Sequence, residues 1–211
     1  MEMALLIFDI DGTLVDSGEV TVEVIADVFR GFLHLEAPSR EAILGTFGMT
    51  EAEMWNALMP AATEAERAEG SARYERAIVE RLPAFDVAMP DAKAVLAELK
   101  ERGHILTTAS NCDEAYMNAV LDSQGMREFF ECPLCLGLVG GRRKADILTR
   151  HFERHGKTDA YMIGDRSSDI EAAEAHGIPA IGCRFGFGRS EELQGSWKEI
   201  RSLSELLILF P

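Results

Sequence analysis

The sequence predicts an α/β fold, a doubly wound parallel sheet with a small all-helical cap inserted after the first strand. Short apolar runs alternate with amphipathic stretches through most of the 211 residues. One long section without a strand-like run separates the first apolar run from the others. Alternating strands and helices favour a parallel sheet that is covered by helices on both faces.

The first apolar run, ALLIFDI at residues 4–10, lacks the alternation of a half-exposed strand. This pattern is typical of a strand that is buried on both faces. The other strand candidates are HILTTAS, ECPLCLGLV, AYMIG and PAIGC. Helices are predicted between them at residues 91–102, 113–123, 144–155 and 168–176. Glycines at 103, 125, 156 and 177 stand where these helices should end, as C-terminal caps prefer.

The section from residue 16 to residue 87 is predicted to be helical. Apolar residues recur every four positions from Val20 to Phe32, which gives one amphipathic helix face. Residues 50–59 and 63–82 indicate further helices, and the segment LGTFGMT indicates a loop before them. An insert at this point would cover the carboxyl end of the first strand, where open α/β sheets bind ligands. We therefore interpret it as a lid.

These elements predict two domains. A Rossmann-like core comprises residues 1–15 and 88–211, and the helical cap comprises residues 16–87.

Composition and charge narrow the range of partners. The chain has 21 basic and 36 acidic residues, a net charge of −15, and 47% hydrophobic residues. Such a surface repels phosphate backbones, so neither nucleic acid nor an anionic membrane is an expected partner. The sequence shows no signal peptide and no membrane-spanning run, and a cytoplasmic location is expected.

The four cysteines, Cys112, Cys132, Cys135 and Cys183, are expected to be reduced thiols. Cys132 and Cys135 form a C-x-x-C pair, the spacing of zinc and redox sites. No second pair and no nearby histidine completes four zinc ligands, so we interpret the pair as two buried cysteines of a strand.

Polar residues suited to one site follow several of the predicted strands. Each has an ordinary structural explanation as a turn residue, a helix cap or a solvated basic turn. Together they would meet at one edge of a parallel sheet, and the residues concerned are Asp9, Asp11, Ser110, Asn111, Lys144, Asp165 and Asp169. Two like charges about 4 Å apart cost on the order of 4 kcal/mol at an effective dielectric of 20. Mg²⁺ would relieve that repulsion, since it binds carboxylates, phosphate and water.

Four segments resemble the ordered motifs of the haloacid dehalogenase superfamily. They are FDIDGTLVDS, the strand that ends in Ser110 and Asn111, Lys144, and GDRSSD. The helical insert is similar to the cap of the phosphoglycolate phosphatase-like branch. The resemblance implies a magnesium-dependent phosphatase that hydrolyses a small phosphorylated metabolite, a phosphomonoester, through an aspartyl-phosphate intermediate.

The resemblance also implies a role for each motif residue. Asp9 would be the nucleophile, and Asp11 would protonate the leaving alcohol and then activate water. Phosphate would contact Gly12, Thr13, Ser110, Asn111 and Lys144. Magnesium would bind Asp9, Asp165 and the backbone carbonyl of Asp11, with Asp169 bound directly or through water. Substrate selection would fall to the cap residues Phe47, Met49 and Thr50.

Several alternatives stay open at the level of sequence. Arg142 could replace Lys144 if the register slips by two residues, and Phe47 and Met49 could be ordinary cap core. A phosphomutase of the same superfamily, similar to β-phosphoglucomutase, shares the chemistry, and a non-enzymatic regulator shares the fold. A signalling receiver domain also clusters acids beside a lysine, but it would lack the long helical insert. Asp11 favours ester hydrolysis or phosphoryl transfer, because dehalogenases lack an acid at that position.

Overall fold

The computed structural model describes residues 3–32, 34–157 and 159–211. Its described residues form one six-stranded parallel sheet in the order β3-β2-β1-β4-β5-β6. The strands are β1 (Leu5–Phe8), β2 (Ile105–Ser110), β3 (Leu134–Cys135), β4 (Ala160–Gly164), β5 (Ala180–Cys183) and β6 (Lys198–Ile200). The predicted fold class is confirmed, since the chain order reverses on either side of β1 as in doubly wound sheets.

Helices connect the strands and form the insert. Those of the insert are α1 (Gly18–Phe29), α2 (Arg40–Leu44), α3 (Glu51–Leu58) and α4 (Glu64–Arg81). Those after it are α5 (Ala92–Glu101), α6 (Glu114–Ser123), α7 (Leu136–Val139), α8 (Lys144–His155), α9 (Ser167–His176) and α10 (Leu206–Leu209). Among the described residues, no helix is both long enough and apolar enough to cross a membrane.

β1 lies at the centre of the sheet and explains the first apolar run. Its four residues are at most 4% exposed, and they pair with β2 on one side and β4 on the other. A strand in this position is covered on both faces, so every side chain is apolar. The segment that follows β1 therefore leaves the sheet at its middle.

The prediction of a strand over ECPLCLGLV is wrong for most of its length. Only Leu134 and Cys135 pair with β2, at its carboxyl end. The chain beyond them has passed the edge of the sheet and turns into α7, with Gly137 N–H donating to the carbonyl of Cys112. Cys135 is buried as expected, but Cys132 is half-buried and lies before the strand.

Two connecting segments of the chain join the insert to the sheet, and these segments hydrogen-bond to each other. The N–H of Asp16 donates to the carbonyl of Val87 at 2.8 Å, and that of Met89 donates to the carbonyl of Leu14 at 2.9 Å. The insert also contains an apolar cluster of its own, formed by Ile25, Val28, Phe29, Phe32, Ile43, Trp55, Leu58, Met59 and Ala62. The division into a core and a cap at residues 16–87 stays a prediction, with which this geometry is consistent.

Candidate active site

Three buried carboxylates come together at the carboxyl edge of the sheet. Asp9, Asp165 and Asp169 each offer an oxygen, and these oxygens lie within 4.8 Å of one another. Asp9 follows β1, and Asp165 follows the neighbouring strand β4, whose Ile163 pairs with Phe8. Asp169 lies in the first turn of α9. Parallel strands that end at the same edge thus bring distant aspartates into one cluster.

Lys144 lies against this carboxylate cluster and is only 2% exposed. Its Nζ is 3.0 Å from Asp9 Oδ1 and also donates to Asp169 Oδ1. Burial acts to lower the pKa of Lys144, but the charges of Asp169 and Asp9 outweigh burial and hold the pKa above its usual value. Arg142, the alternative from the sequence, is exposed, and its backbone N–H donates to Asp146.

Backbone donors fix Asp165 and Asp169. The N–H groups of Phe187 and Gly188 donate to Asp165 Oδ2 at 2.7 and 3.0 Å, and the N–H of Arg166 donates to Asp169 Oδ2 at 2.9 Å. Burial and then the charge of Asp9 raise the pKa of Asp165 to about 8. The sequence analysis did not assign a role to the loop at 185–189. Its glycine-rich sequence, FGFGR, was the signal available.

Gly12 and Thr13 pack against Asp165. Gly12 has a φ of +79°, and a Cβ there would come within 2.3 Å of Asp165 Oδ2. Glycine is therefore required at this position for both conformation and space. Thr13 is fully buried, and its hydroxyl lies 3.5 Å from Asp165 Oδ1.

The carboxylate of Asp11 lies outside the three-carboxylate cluster. Its Oδ1 accepts hydrogen bonds from Tyr116 Oη at 2.6 Å and from the hydroxyl of Ser17. Burial raises the pKa of Asp11 to about 6, although both hydrogen bonds oppose the rise. Ser17 and Tyr116 received no role in the sequence analysis. Ser17 stands within the first motif, whereas the sequence near Tyr116 carries no comparable signal.

A cavity of about 730 Å³, counting the part open to solvent, lies between the insert and the sheet edge. The sheet side contributes Asp9, Asp11, Ser110, Asn111, Cys112, Asp113 and Tyr116. The insert contributes Thr21, Thr46, Phe47, Gly48, Met49, Glu51, Met54, Tyr74 and Glu75. Two of the three predicted cap residues, Phe47 and Met49, thus line the cavity, whereas Thr50 is the N-cap of α3 and bonds Glu53.

The loop of the insert contacts the sheet side of the cavity. The ring of Phe47 stacks on that of Phe187 with centroids 4.1 Å apart. Asn111 Nδ2 donates to the carbonyl of Gly48 at 2.8 Å, and Arg166 donates to the carbonyl of Phe47. Asn111 was predicted to bind phosphate, and here its amide nitrogen holds the insert closed over the site.

The donor set suits Mg²⁺. With all three carboxylates ionised, the cluster and the Lys144 ammonium have a net charge of −2, which one divalent cation would neutralise. Carboxylate oxygens are the ligands that Mg²⁺ prefers. The carboxylate of Asp11 is not part of this cluster, and its Oδ1 bonds Tyr116 and Ser17. The predicted contribution of the Asp11 carbonyl stays a prediction.

Comparison with known proteins assigns the family. The profile of the haloacid dehalogenase-like hydrolases matches residues 3–177. The chain belongs to this family. The match confirms the resemblance given above and the predicted enzyme class, a hydrolase of the haloacid dehalogenase type.

Several family relatives carry phosphatase names. The chain is 26% identical over 202 residues to "Probable phosphatase IndB" of Dickeya dadantii, covering 93% of this chain and 87% of that protein. It is 28% identical over 204 residues to a phosphoglycolate phosphatase of Synechococcus elongatus, covering 90% and 88%. A solved structure of a predicted phosphoglycolate phosphatase from Haemophilus somnus 129pt superposes with a TM-score of 0.88 at 20% identity, covering 100% and 99%. The likeness to the structure supports the fold alone.

Proposed function

We propose that this hydrolase is a magnesium-dependent phosphatase that cleaves a small phosphomonoester through an aspartyl-phosphate on Asp9. The observation that carries the proposal is the contact of Asp9 with Lys144 beside Asp165 and Asp169. A nucleophilic carboxylate needs neighbouring positive charge before a phosphate dianion can approach it. The phosphatase names of the relatives support the same reaction.

In the first step, an oxygen of Asp9 forms a bond to phosphorus while the bond from phosphorus to the ester oxygen breaks. Asp11 donates its proton to the departing alkoxide. A pKa of about 6 keeps part of the Asp11 population protonated near neutral pH. Both hydrogen bonds are to Oδ1, which leaves Oδ2 for the proton transfer.

In the second step, water attacks phosphorus and Asp11 takes the water proton. The bond between phosphorus and Asp9 breaks, which releases inorganic phosphate and restores the carboxylate. Lys144 offsets negative charge on Asp9 in both steps. Ser110 lines the cavity next to Asp9 and would donate to a phosphoryl oxygen, and Gly12 and Thr13 would add contacts from the first motif. Mg²⁺, held by Asp9, Asp165 and Asp169, would offset the charge of the phosphoryl oxygens.

Release of inorganic phosphate from p-nitrophenyl phosphate and from a panel of phosphorylated metabolites tests the proposal. We expect turnover with Mg²⁺, loss of turnover with excess chelator, and a fall of more than about a thousandfold in Asp9→Asn. Isomerised substrate without free phosphate would instead indicate a mutase. No turnover on any compound would overturn the proposed function and favour a regulator.

A further inference from the structure

Part of the cavity wall away from Lys144 is acidic. Glu51 and Glu75 from the insert and Asp113 from the sheet side all line the cavity. None of the described residues that line it is lysine, arginine or histidine. We call these three carboxylates the acidic wall. It differs from the cluster around Asp9, whose charge Lys144 partly offsets.

The carboxylates of the acidic wall lie near one another. Burial, followed by the charges of Glu75 and Asp113, raises the pKa of Glu51 above its usual value. The hydroxyl of Ser71 donates to Glu51 Oε1, which orients that carboxylate but adds no positive charge. Asp113 Oδ1 accepts from the N–H of Tyr116 at the start of α6, but no lysine, arginine or histidine among the described lining residues offsets the three charges, as a cation entering the cavity would.

Unused hydrogen-bond acceptors in the same cavity point to a ligand that donates. Asn111 Oδ1 is buried and has no partner among the described residues, and the bond of its Nδ2 to Gly48 fixes the orientation of the amide. The hydroxyl of Thr21, a residue only 3% exposed, is likewise buried without a partner within the described parts of the chain. Buried polar atoms in native proteins are nearly always hydrogen-bonded, so Asn111 Oδ1 awaits a donor, whereas the Thr21 hydroxyl can either donate or accept.

We propose that the cavity selects phosphomonoesters whose leaving alcohol carries a positively charged amino group. An ammonium group supplies positive charge to the acidic wall and donor hydrogens to Asn111 Oδ1. A second carboxylate or phosphate on the leaving group would face Glu51, Glu75 and Asp113 with no cation to receive it. The inference rests on the proposed function, because the phosphate must bind at Asp9 for the leaving group to meet this wall.

Two matched substrate series test the inference at two sizes of leaving group. The short series is phosphoethanolamine, 2-hydroxyethyl phosphate and phosphoglycolate. The long series is glucosamine 6-phosphate, glucose 6-phosphate and 6-phosphogluconate. In at least one series we expect kcat/KM to decrease from amine to hydroxyl to carboxylate, with the amine at least about tenfold above the carboxylate.

The double variant Glu51→Gln/Glu75→Gln keeps the shape of the wall and removes two charges. We expect the kcat/KM ratio of the amine to the hydroxyl compound to fall by about tenfold. This ratio does not depend on the fraction of folded enzyme. The matched control is Glu80→Gln, on the same helix as Glu75 but exposed, which should leave the ratio unchanged.

The outcomes separate this inference from the proposed function. If p-nitrophenyl phosphate is hydrolysed in an Asp9-dependent manner but neither series gives the order amine above hydroxyl above carboxylate, the inference alone is overturned. A ratio unchanged in the double variant would also overturn it. If no ester is hydrolysed, the proposed function fails, and the inference fails with it.

Discussion

The two acidic regions of the cavity differ in how their charge is offset. At the sheet edge, the buried Lys144 contacts Asp9 and Asp169, and backbone N–H groups donate to Asp165 and Asp169. The acidic wall has three carboxylates and no cation among its described neighbours. The first region suits a metal ion and a phosphate group, whereas the second needs its counter-charge from the substrate. The number of acidic residues alone does not distinguish the two regions.

After the nucleophile Asp9, the largest loss of activity is expected at Asp11, which lines the same cavity. Asp11→Asn keeps the size of the side chain but cannot transfer a proton, so kcat should fall by about 10²–10⁴-fold. A leaving group that needs no proton should be much less affected. Comparing p-nitrophenyl phosphate with an alkyl phosphate measures this difference. An equal loss on both compounds would contradict the assigned proton transfer.

Lys144→Met would remove the positive charge that contacts the sheet-edge cluster. The cluster would then resemble the acidic wall, which has no lysine in contact among the described residues. We expect kcat to fall by about 10²–10³-fold, since positive charge beside the nucleophile is lost. Arg142→Met, an exposed neighbour, serves as the control. Steady-state turnover, with thermal unfolding to confirm that each variant is folded, provides the measurement. Near-normal kcat in folded Lys144→Met would refute the role given to Lys144.

Met49→Lys would add a positive charge to the side of the cavity that the insert forms. Met49 lines the cavity and is 38% exposed, so a lysine there can enter without burying its charge. The kcat/KM ratio of phosphoglycolate to phosphoethanolamine should rise by about tenfold. Met49→Gln controls for polarity without charge. A ratio that is the same in both variants would argue against charge selection.

The stability of the metal-free protein should depend on pH through Asp165. An unfolded aspartate ionises near pH 4, whereas folded Asp165 ionises at about 8. The stability that this Asp165 proton contributes is therefore fully present below about pH 4. It is lost as the pH rises through about 8, because the unfolded chain releases the proton more readily. Mg²⁺ displaces the proton and should remove this penalty.

Thermal unfolding with Mg²⁺ or with chelator measures this effect. The rise in Tm on adding Mg²⁺ should be a few degrees larger at about pH 8 than at about pH 6. Asp165→Asn is the control and should reduce the pH-dependent part, the remainder coming from Asp169, whose pKa is raised to about 7 by burial and by the charge of Asp9. An equal rise at both pH values in the unmodified protein would contradict the assignment of Asp165.

Sequence patterns predicted the parts of this molecule that depend on local periodicity. The helix predicted at 144–155 has those bounds, and the apolar run before Asp9 is the central strand. The strand Lys198–Ile200 escaped prediction because it is three residues long and two of its residues are exposed, so it carries no apolar run. The segment 136–139 was assigned wrongly because its helix depends on where the sheet ends.

Only part of the candidate site could likewise be predicted from the sequence. Strand ends identified the residues that the sheet brings together, and the resemblance to the third family motif identified Lys144, with Arg142 as the alternative. Contacts between distant segments could not be read from the sequence. The hydrogen bond from Tyr116 to Asp11 and those from the 187–188 backbone to Asp165 depend on packing of loops from separate parts of the chain. The acidic wall likewise requires the insert to close over the sheet.

Trapping of the covalent intermediate tests whether Asp9 is the nucleophile. The enzyme would be mixed with Mg²⁺ and a radiolabelled phosphomonoester that it turns over, quenched in acid within one turnover, and digested. The account predicts label on the peptide that contains Asp9 and no label on the same peptide from Asp9→Asn. Phosphate release by the unmodified enzyme without label at Asp9, or label on another residue, would contradict it.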